Sequence, residues 1–155
     1  MTSYYDLLDE LNTLYIADEN VKQVSKGSLD DIADNKQTMY SLAHILVNSA
    51  TTVNSVVQFN MTVFVMDVVN ISKAEVTDKF KGNDNEDDVL NTTLATQVRV
   101  LEQLRRGDVT VDSEVRLLGN PTLEPFTDRF QYAGNVAGWA ATFDLEITHS
   151  MTRCD

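Results

Sequence analysis

Residues 56–69 read VVQFNMTVFVMDVV, and this run decides the fold. Val57, Phe59, Met61, Val63 and Val65 fall on one side of an extended chain, while Gln58, Asn60 and Thr62 fall on the other. Successive side chains of a strand point to opposite faces. A run with one apolar and one polar side therefore belongs to an antiparallel sheet covered on a single face. Just upstream, Tyr40 to Asn48 alternates as well, with Ala43, Ile45 and Val47 to one side and Tyr40, Leu42, His44 and Leu46 to the other. The turn-like NSATTVNS, residues 48–55, separates the two runs, so they predict a hairpin.

That hairpin is long. Residues 56–69 span about 46 Å when extended, against a diameter of about 40 Å for a globule of this size. Two readings stand. Either the arm overhangs its own domain and packs on a neighbouring subunit, because unpaired strand edges are seldom left free. Or a bulge, or an early end near Val65, keeps it inside one domain.

Working toward the C-terminus, residues 71–83 read as a polar connector that becomes acidic in DKFKGNDNEDD, residues 78–88. Asp84 or Asn85 can cap a helix whose first turn carries Glu86, Asp87 and Asp88. Leu90, Leu94, Val98, Leu101 and Leu104 recur at helical spacing, with Val89 and Ala95 near the margin. Arg105 and Arg106 then suit a C-terminus, and Gly107 stops the helix. Ser113 to Leu118 reads as a short strand ended by Gly119-Asn120-Pro121. Pro121 and Pro125 mark a loop running through Phe126, Phe130 and Tyr132. Ala137 to Thr148 is the last strand, with Trp139, Ala141, Phe143, Leu145 and Ile147 on one side, and residues 149–155 form a frayed tail.

Toward the N-terminus, Ser3 can cap a helix with Asp6 three residues on. Tyr4, Leu7, Leu8, Leu11, Leu14 and Tyr15 make its apolar stripe, and Asp6, Asp9 and Glu10 its solvated face. A short strand over Val21 to Ser25 follows, broken by Gly27-Ser28. Leu29 to Lys36 fits either one helical turn or an ordered loop. The order is thus helix, short strand, long hairpin, helix, two strands. Two helices must cover the apolar side of a mostly antiparallel sheet, which predicts an α+β two-layer sandwich spanning residues 1–155 as one domain.

Composition narrows the function. The 155 residues carry 12 Lys and Arg against 24 Asp and Glu, a net charge of −12. That excludes attachment to DNA or anionic lipid through bulk positive charge. Cys154 is the single cysteine, so neither an internal disulfide nor a thiolate metal site can form within one chain. No basic leader with an apolar run precedes the first helix, which predicts a protein that is not secreted. On that expectation the Asn-x-Ser/Thr triplets at Asn60, Asn70 and Asn91 are chance matches. The run from Val56 to Val69 is too short and too polar to cross a membrane.

Residue patterns that could carry chemistry are few. His44 sits in a predicted strand and His149 in the tail, so they do not form a pair. Gly-x-Ser-x-Gly, Gly-x-x-x-x-Gly-Lys-Ser/Thr and Gly-x-Gly-x-x-Gly are all absent. The acids Asp84, Glu86, Asp87 and Asp88 lack the spacing of a calcium loop and fit a helix start. Asp144 and Glu146 share a strand face about 7 Å apart, which reads as a solvated sheet surface. No cofactor is expected. Arg99, Arg105 and Arg106 are not interleaved with aromatics, and they suit pairing with the acidic N-terminal helix or a neighbour's acidic loop.

Three stretches carry a resemblance. They are FNMTVFVMDVVN (Phe59 to Asn70), NDNEDDVLNTTLATQVRVLEQL (Asn83 to Leu104) and EPFTDRFQYAGNVAGWAATFDLEI (Glu124 to Ile147). In the last, an aromatic run ending at Phe130 leads through Asn135 and Gly138-Trp139 into an alternating strand. The sequence resembles the tail terminators and related neck proteins of tailed bacteriophages. The resemblance implies a small α+β subunit without enzymatic activity, found in the virion after assembly in the host cytoplasm. Copies form a ring, commonly hexameric, that caps the tail tube and faces the head-side connector, with double-stranded DNA passing through unbound.

On this reading the expected interface residues are Val53, Asn54, Val56, Val57 and Phe59 at the hairpin tip, with Arg105 and Arg106. Phe126, Phe130 and Tyr132 either join the interface or pack under their loop as a small cluster. Asp84, Glu86, Asp87 and Asp88 are expected to line the bore. The alternatives are a twelvefold head-completion or connector ring, a tail tube or baseplate protein, and a small enzyme or ligand-binding domain.

Overall fold

The computed structural model describes residues 4–29, 40–70, 77–80, 82, 84–107, 115–130 and 134–148. The expectations for the Ser3 cap, most of Leu29 to Lys36, most of the 71–83 connector, Tyr132, the Phe130 side chain and the 149–155 tail fall outside them. In chain order the elements are α1 (Tyr4–Ile16), β1 (Gln23–Lys26), β2 (Leu42–Val53), β3 (Val56–Val68), α2 (Glu86–Arg106), β4 (Arg116–Phe130) and β5 (Gly134–Thr148). The strands form one sheet in the order β1-β2-β3-β5-β4. β1 runs parallel to β2, and every other pairing is antiparallel. This is the expected α+β architecture.

The main core lies between the sheet and the two helices. Leu7, Leu8, Leu11 and Leu14 of α1 and Val100, Leu101 and Leu104 of α2 pack on Val57, Phe59, Met61, Val63 and Val65 of β3 and on Ala141, Phe143, Leu145 and Ile147 of β5. Each of the larger side chains among them contributes roughly 1.5–3 kcal/mol when fully buried. A smaller cluster occupies one end of the opposite face. There Leu42, Met66 and Val136 are buried, and Phe64 meets Phe126 edge-on with ring centroids 5.5 Å apart.

The hairpin stays within the domain. β3 is flanked by β5 over its whole length, from Val56↔Thr148 to Val68↔Val136, and on the other side by β2 from Val56 to Met66. The strands meet at Val53↔Val56, leaving only Asn54 and Ser55 as the turn. Asn54 adopts φ 54°, a conformation asparagine tolerates better than most residues. The polar 48–53 segment, expected as turn, is therefore strand, and a register shift between Val47 and Ser49 marks Asn48 as a bulge.

The loop expected at 121–132 is also mostly strand. β4 is continuous from Arg116 to Phe130, with one irregularity between Leu118 and Thr122. Pro121 and Pro125 are compatible with this because β4 is an edge, where a missing N–H facing outward costs no ladder bond.

α2 shows the third departure. The expected stripe was Leu90, Leu94, Val98, Leu101 and Leu104, yet the buried residues are Val89, Thr93, Thr96, Gln97, Val100, Leu101 and Leu104, and Val98 is 44% exposed. The helix is turned so that Gln97 faces the sheet. Its Nε2 donates to the backbone carbonyls of Val63 at 2.7 Å and Trp139 at 3.0 Å, and its Oε1 accepts from the Tyr15 hydroxyl at 2.8 Å. One amide thus ties α1, α2, β3 and β5. Trp139 adds a second tie, its Nε1 donating to the carbonyl of Leu90 at 2.9 Å. Glu10, expected on a solvated face, is fully buried.

The acidic first turn, the basic last turn and the glycine stop of α2 follow the sequence, while its N-cap residue Asn85 makes no side-chain capping bond. Gly107 at φ 76° gives its N–H to the carbonyls of Gln103 and Leu104. At the start Asp84 Oδ1 accepts from the N–H of Glu86 at 3.2 Å, while Asn85 Oδ1 accepts from the N–H of Asn70 and so fastens the connector.

Candidate functional site

β1 accompanies β2 only from Leu42 to Ile45, and the N–H of Gly27 gives a last bond to the carbonyl of Ile45 at 3.1 Å. Beyond that point β2 continues to Val53 with β3 on its inner side. Among the described residues no strand pairs with its outer side from Leu46 to Val53. This edge reads LVNSATTV, without charge or proline, and residues 48–53 are exposed. Proteins usually disarm such an edge with lysine, proline, strong twist or a covering element. Among the described residues, the bulge at Asn48 is the one such device along the edge. The opposite edge, β4, carries Pro121, Pro125, Arg116, Glu124, Asp128 and Arg129. Among the described residues, one sheet edge is protected and the other is open.

At the root of the open edge, where β1 turns away, lies a cleft of about 770 Å³. Tyr4, Leu8, Leu29, Ile45, Leu46 and Val47 line it with Lys26, Gly27 and Ser28. The hairpin tip is the other end of the same edge, and Val53 there is 41% exposed.

The polar sheet face beside this edge is a hydrogen-bonded ladder. Asn48 Nδ2 donates to Asn60 Oδ1 at 2.9 Å and to Thr62 Oγ1 at 2.8 Å, Asn60 Nδ2 donates to Asp144 Oδ1 at 2.9 Å, and the Thr62 and Thr142 hydroxyls meet at 3.2 Å. The bulge is thereby fixed by its own side chain. Asp144, read as part of a solvated face, is exposed and serves this ladder.

The other sequence-derived candidates are dispersed. Val53 and Asn54 are exposed at the tip and Val56 is half-buried. Val57 and Phe59, expected at an interface, are interior, each 6% exposed. Alternation gave their side correctly, but that side faces the helices of the same chain. Phe126 packs on Phe64 in the smaller cluster. Arg105 lies 3.7 Å from Glu102 of its own helix, and Arg105 and Arg106 are both exposed. Asp84, Asp87 and Asp88 are exposed at the far end of α2, and Glu86 is half-buried.

His44 is fully buried. Its Nε2 lies 2.7 Å from the carbonyl of Gly27, and because a carbonyl only accepts, Nε2 carries the proton. Nδ1 lies 2.7 Å from the Ser25 hydroxyl. The ring pins the end of β1 to β2 and so sets where the open edge begins. Among the described residues no group of three or more His, Cys, Asp or Glu is placed to hold a metal ion, and no helix is long and apolar enough to cross a membrane.

Arg99 pairs with the N-terminal region, as its charge suggested. Its Nε and Nη2 reach Asp18 Oδ2 at 2.8 Å and Oδ1 at 3.0 Å. Desolvation pushes the Asp18 carboxyl up, but hydrogen bonds from Arg99, the Asn20 N–H and Thr96, with the Arg99 charge, outweigh it and hold the group below the usual carboxylate range. A depressed carboxylate stabilises the fold above its unfolded pKa, and that contribution disappears as pH falls through the folded value. Asp18→Asn is expected to cost about 1 kcal/mol at pH 7, because the arginine is half exposed. The cost should shrink as pH falls through the carboxyl's lowered folded-state pKa, as checked by urea unfolding at pH 7 and at successively lower pH.

No family model matches this sequence, and no curated protein matches it either.

Proposed function

We propose that this chain is a structural subunit of a tailed bacteriophage: a tail terminator whose copies join edge to edge into a ring, hexameric, on the head-proximal end of the tail tube. The observation that carries the reading is the open, uncharged edge of β2. A subunit that works by docking on its own kind needs a strand with free backbone groups, and strand addition supplies such a contact. A head-to-tail contact repeats until rotation closes it, which makes a ring. The resemblance of the three quoted stretches supports the assignment to the phage neck.

In this reading Val53, Asn54, Val56, Arg105 and Arg106 lie toward neighbouring subunits. Asp84, Glu86, Asp87 and Asp88 lie toward the bore, where acid repels the phosphate backbone and lets double-stranded DNA slide. The tail tube protein and the head-side connector are the partners above and below. The chain makes and breaks no covalent bond.

Electron microscopy of particles assembled with and without the chain tests this. With it, a ring should sit between tube and connector. Without it, tails should vary in length and remain unjoined to heads. Tails of normal length joined to heads in its absence would end the reading.

A further inference from the structure

The outer edge of β2 poses a problem before any ring exists. Each free molecule carries eight edge residues, Leu46 to Val53, with neither charge nor proline, in a chain of net charge −12. That net charge makes two such molecules repel each other on approach. This stretch is a place where two backbones can approach to about 4.8 Å without opposing like charges. The edge of β4 is a poorer partner, because Pro121 and Pro125 remove donors there and its other positions carry charges of both signs.

We infer that in the free protein the β2 edge is covered by the β2 edge of a second copy, antiparallel across a two-fold axis. It rests on the proposed function only in taking the partner to be this chain itself. The pair is the resting form, and it opens when the edge is passed to a neighbour in the ring.

Pairing the whole open edge, from Leu46 to Val53, selects one register. In a continuous sheet, directly opposed residues share a face. On β2, Ile45 and Val47 lie on the helix side with Ala50 and Thr52, since these oppose Val63, Met61, Phe59 and Val57. Leu46, Ser49, Thr51 and Val53 lie on the other side, opposing Thr62, Asn60, Gln58 and Val56. The bulge at Asn48 shifts the alternation by one residue. A two-fold axis at Ala50 then sets Ser49 opposite the other copy's Thr51, Val47 opposite its Thr52, and Leu46 opposite its Val53. Every opposed pair shares a face from end to end of the open edge. The same register sets the exposed Val53 of each tip against Leu46 of the other copy, on the sheet face away from the helices. Both tips are met at once, and the contact closes on a pair.

Ala50 opposing itself gives a direct test. With Cys154→Ser removing the native thiol, Ala50→Cys should form a covalent dimer under mild oxidation, whereas Thr52→Cys, opposite Val47, should not. Ala50→Lys sets two ammonium groups face to face, and sedimentation should show association weakened about fivefold or more, with an unchanged melting temperature confirming the fold. If the protein associates but Ala50→Cys fails to cross-link, or Ala50→Lys leaves association intact, the two-fold pairing is wrong while the ring reading stands on its microscopy. A wild-type protein that stays monomeric at millimolar concentration overturns the pairing as well. Particles normal without the chain would sink the phage assignment and leave the pairing to its own data.

Discussion

Gln97→Leu is expected to lower folding stability by roughly 3–5 kcal/mol, a large effect for a helix position that sequence alone would assign to the surface. The amide is fully buried and each of its polar atoms is used: Oε1 by the Tyr15 hydroxyl, Nε2 by the carbonyls of Val63 and Trp139. Leucine fills similar space but leaves the phenol without its acceptor and takes a donor from both carbonyls. An unpaired buried polar group costs about 1–3 kcal/mol. Chemical denaturation measures the loss, and a cost under about 1 kcal/mol would show that the amide is not the tie between the layers. A cycle with Tyr15→Phe should recover part of it, because the orphaned hydroxyl is then gone. Burial also pushes the Tyr15 phenol above its ordinary value of 10.0. A raised pKa means that the folded state keeps the proton while the unfolded state releases it. Stability should therefore fall as pH rises past about 10, and less steeply in Tyr15→Phe.

Gly138→Ala is the second large effect, with an expected cost of roughly 3 kcal/mol or failure to fold. A Cβ on Gly138 would overlap the carbonyl oxygen of Val65 and lie 2.8 Å from the Cα of Met66. These are backbone atoms of the central strand, so no rotamer change relieves the clash. Either β3 and β5 separate, or the ladder breaks between the main core and the Leu42–Met66–Val136 cluster. Gly119→Ala is the control: its added Cβ meets nothing within 4 Å, although φ 61° still carries a smaller backbone penalty. Thermal unfolding of the two variants should separate widely, and equal midpoints would refute the close approach at Gly138.

Where local chemistry decides structure, the sequence was sufficient. Period-two alternation over residues 57–65 and 139–147 placed the central strands and their buried sides, because burial of one face is what the alternation encodes. Acids before residue 89 and Arg105-Arg106-Gly107 bracketed α2, because helix ends carry their own charge and capping preferences. The element order and the α+β class followed from these.

What escaped the sequence was decided by partners distant along the chain. The rotation of α2 depends on a polar residue whose hydrogen bonds run to Tyr15, Val63 and Trp139, and hydropathy sees only that it is polar. Residues 48–53 and 121–130 look like turns by composition, yet become strand because β3 and β5 lie beside them to accept pairing. Val57 and Phe59 were rightly read as apolar and strand-borne, but which body covers them, the same chain's helices or another copy, is a fact of packing. The open edge is likewise a tertiary property. Its composition stands in the sequence, while its exposure follows from β1 ending at Lys26, beside Ile45, well short of the strand it accompanies.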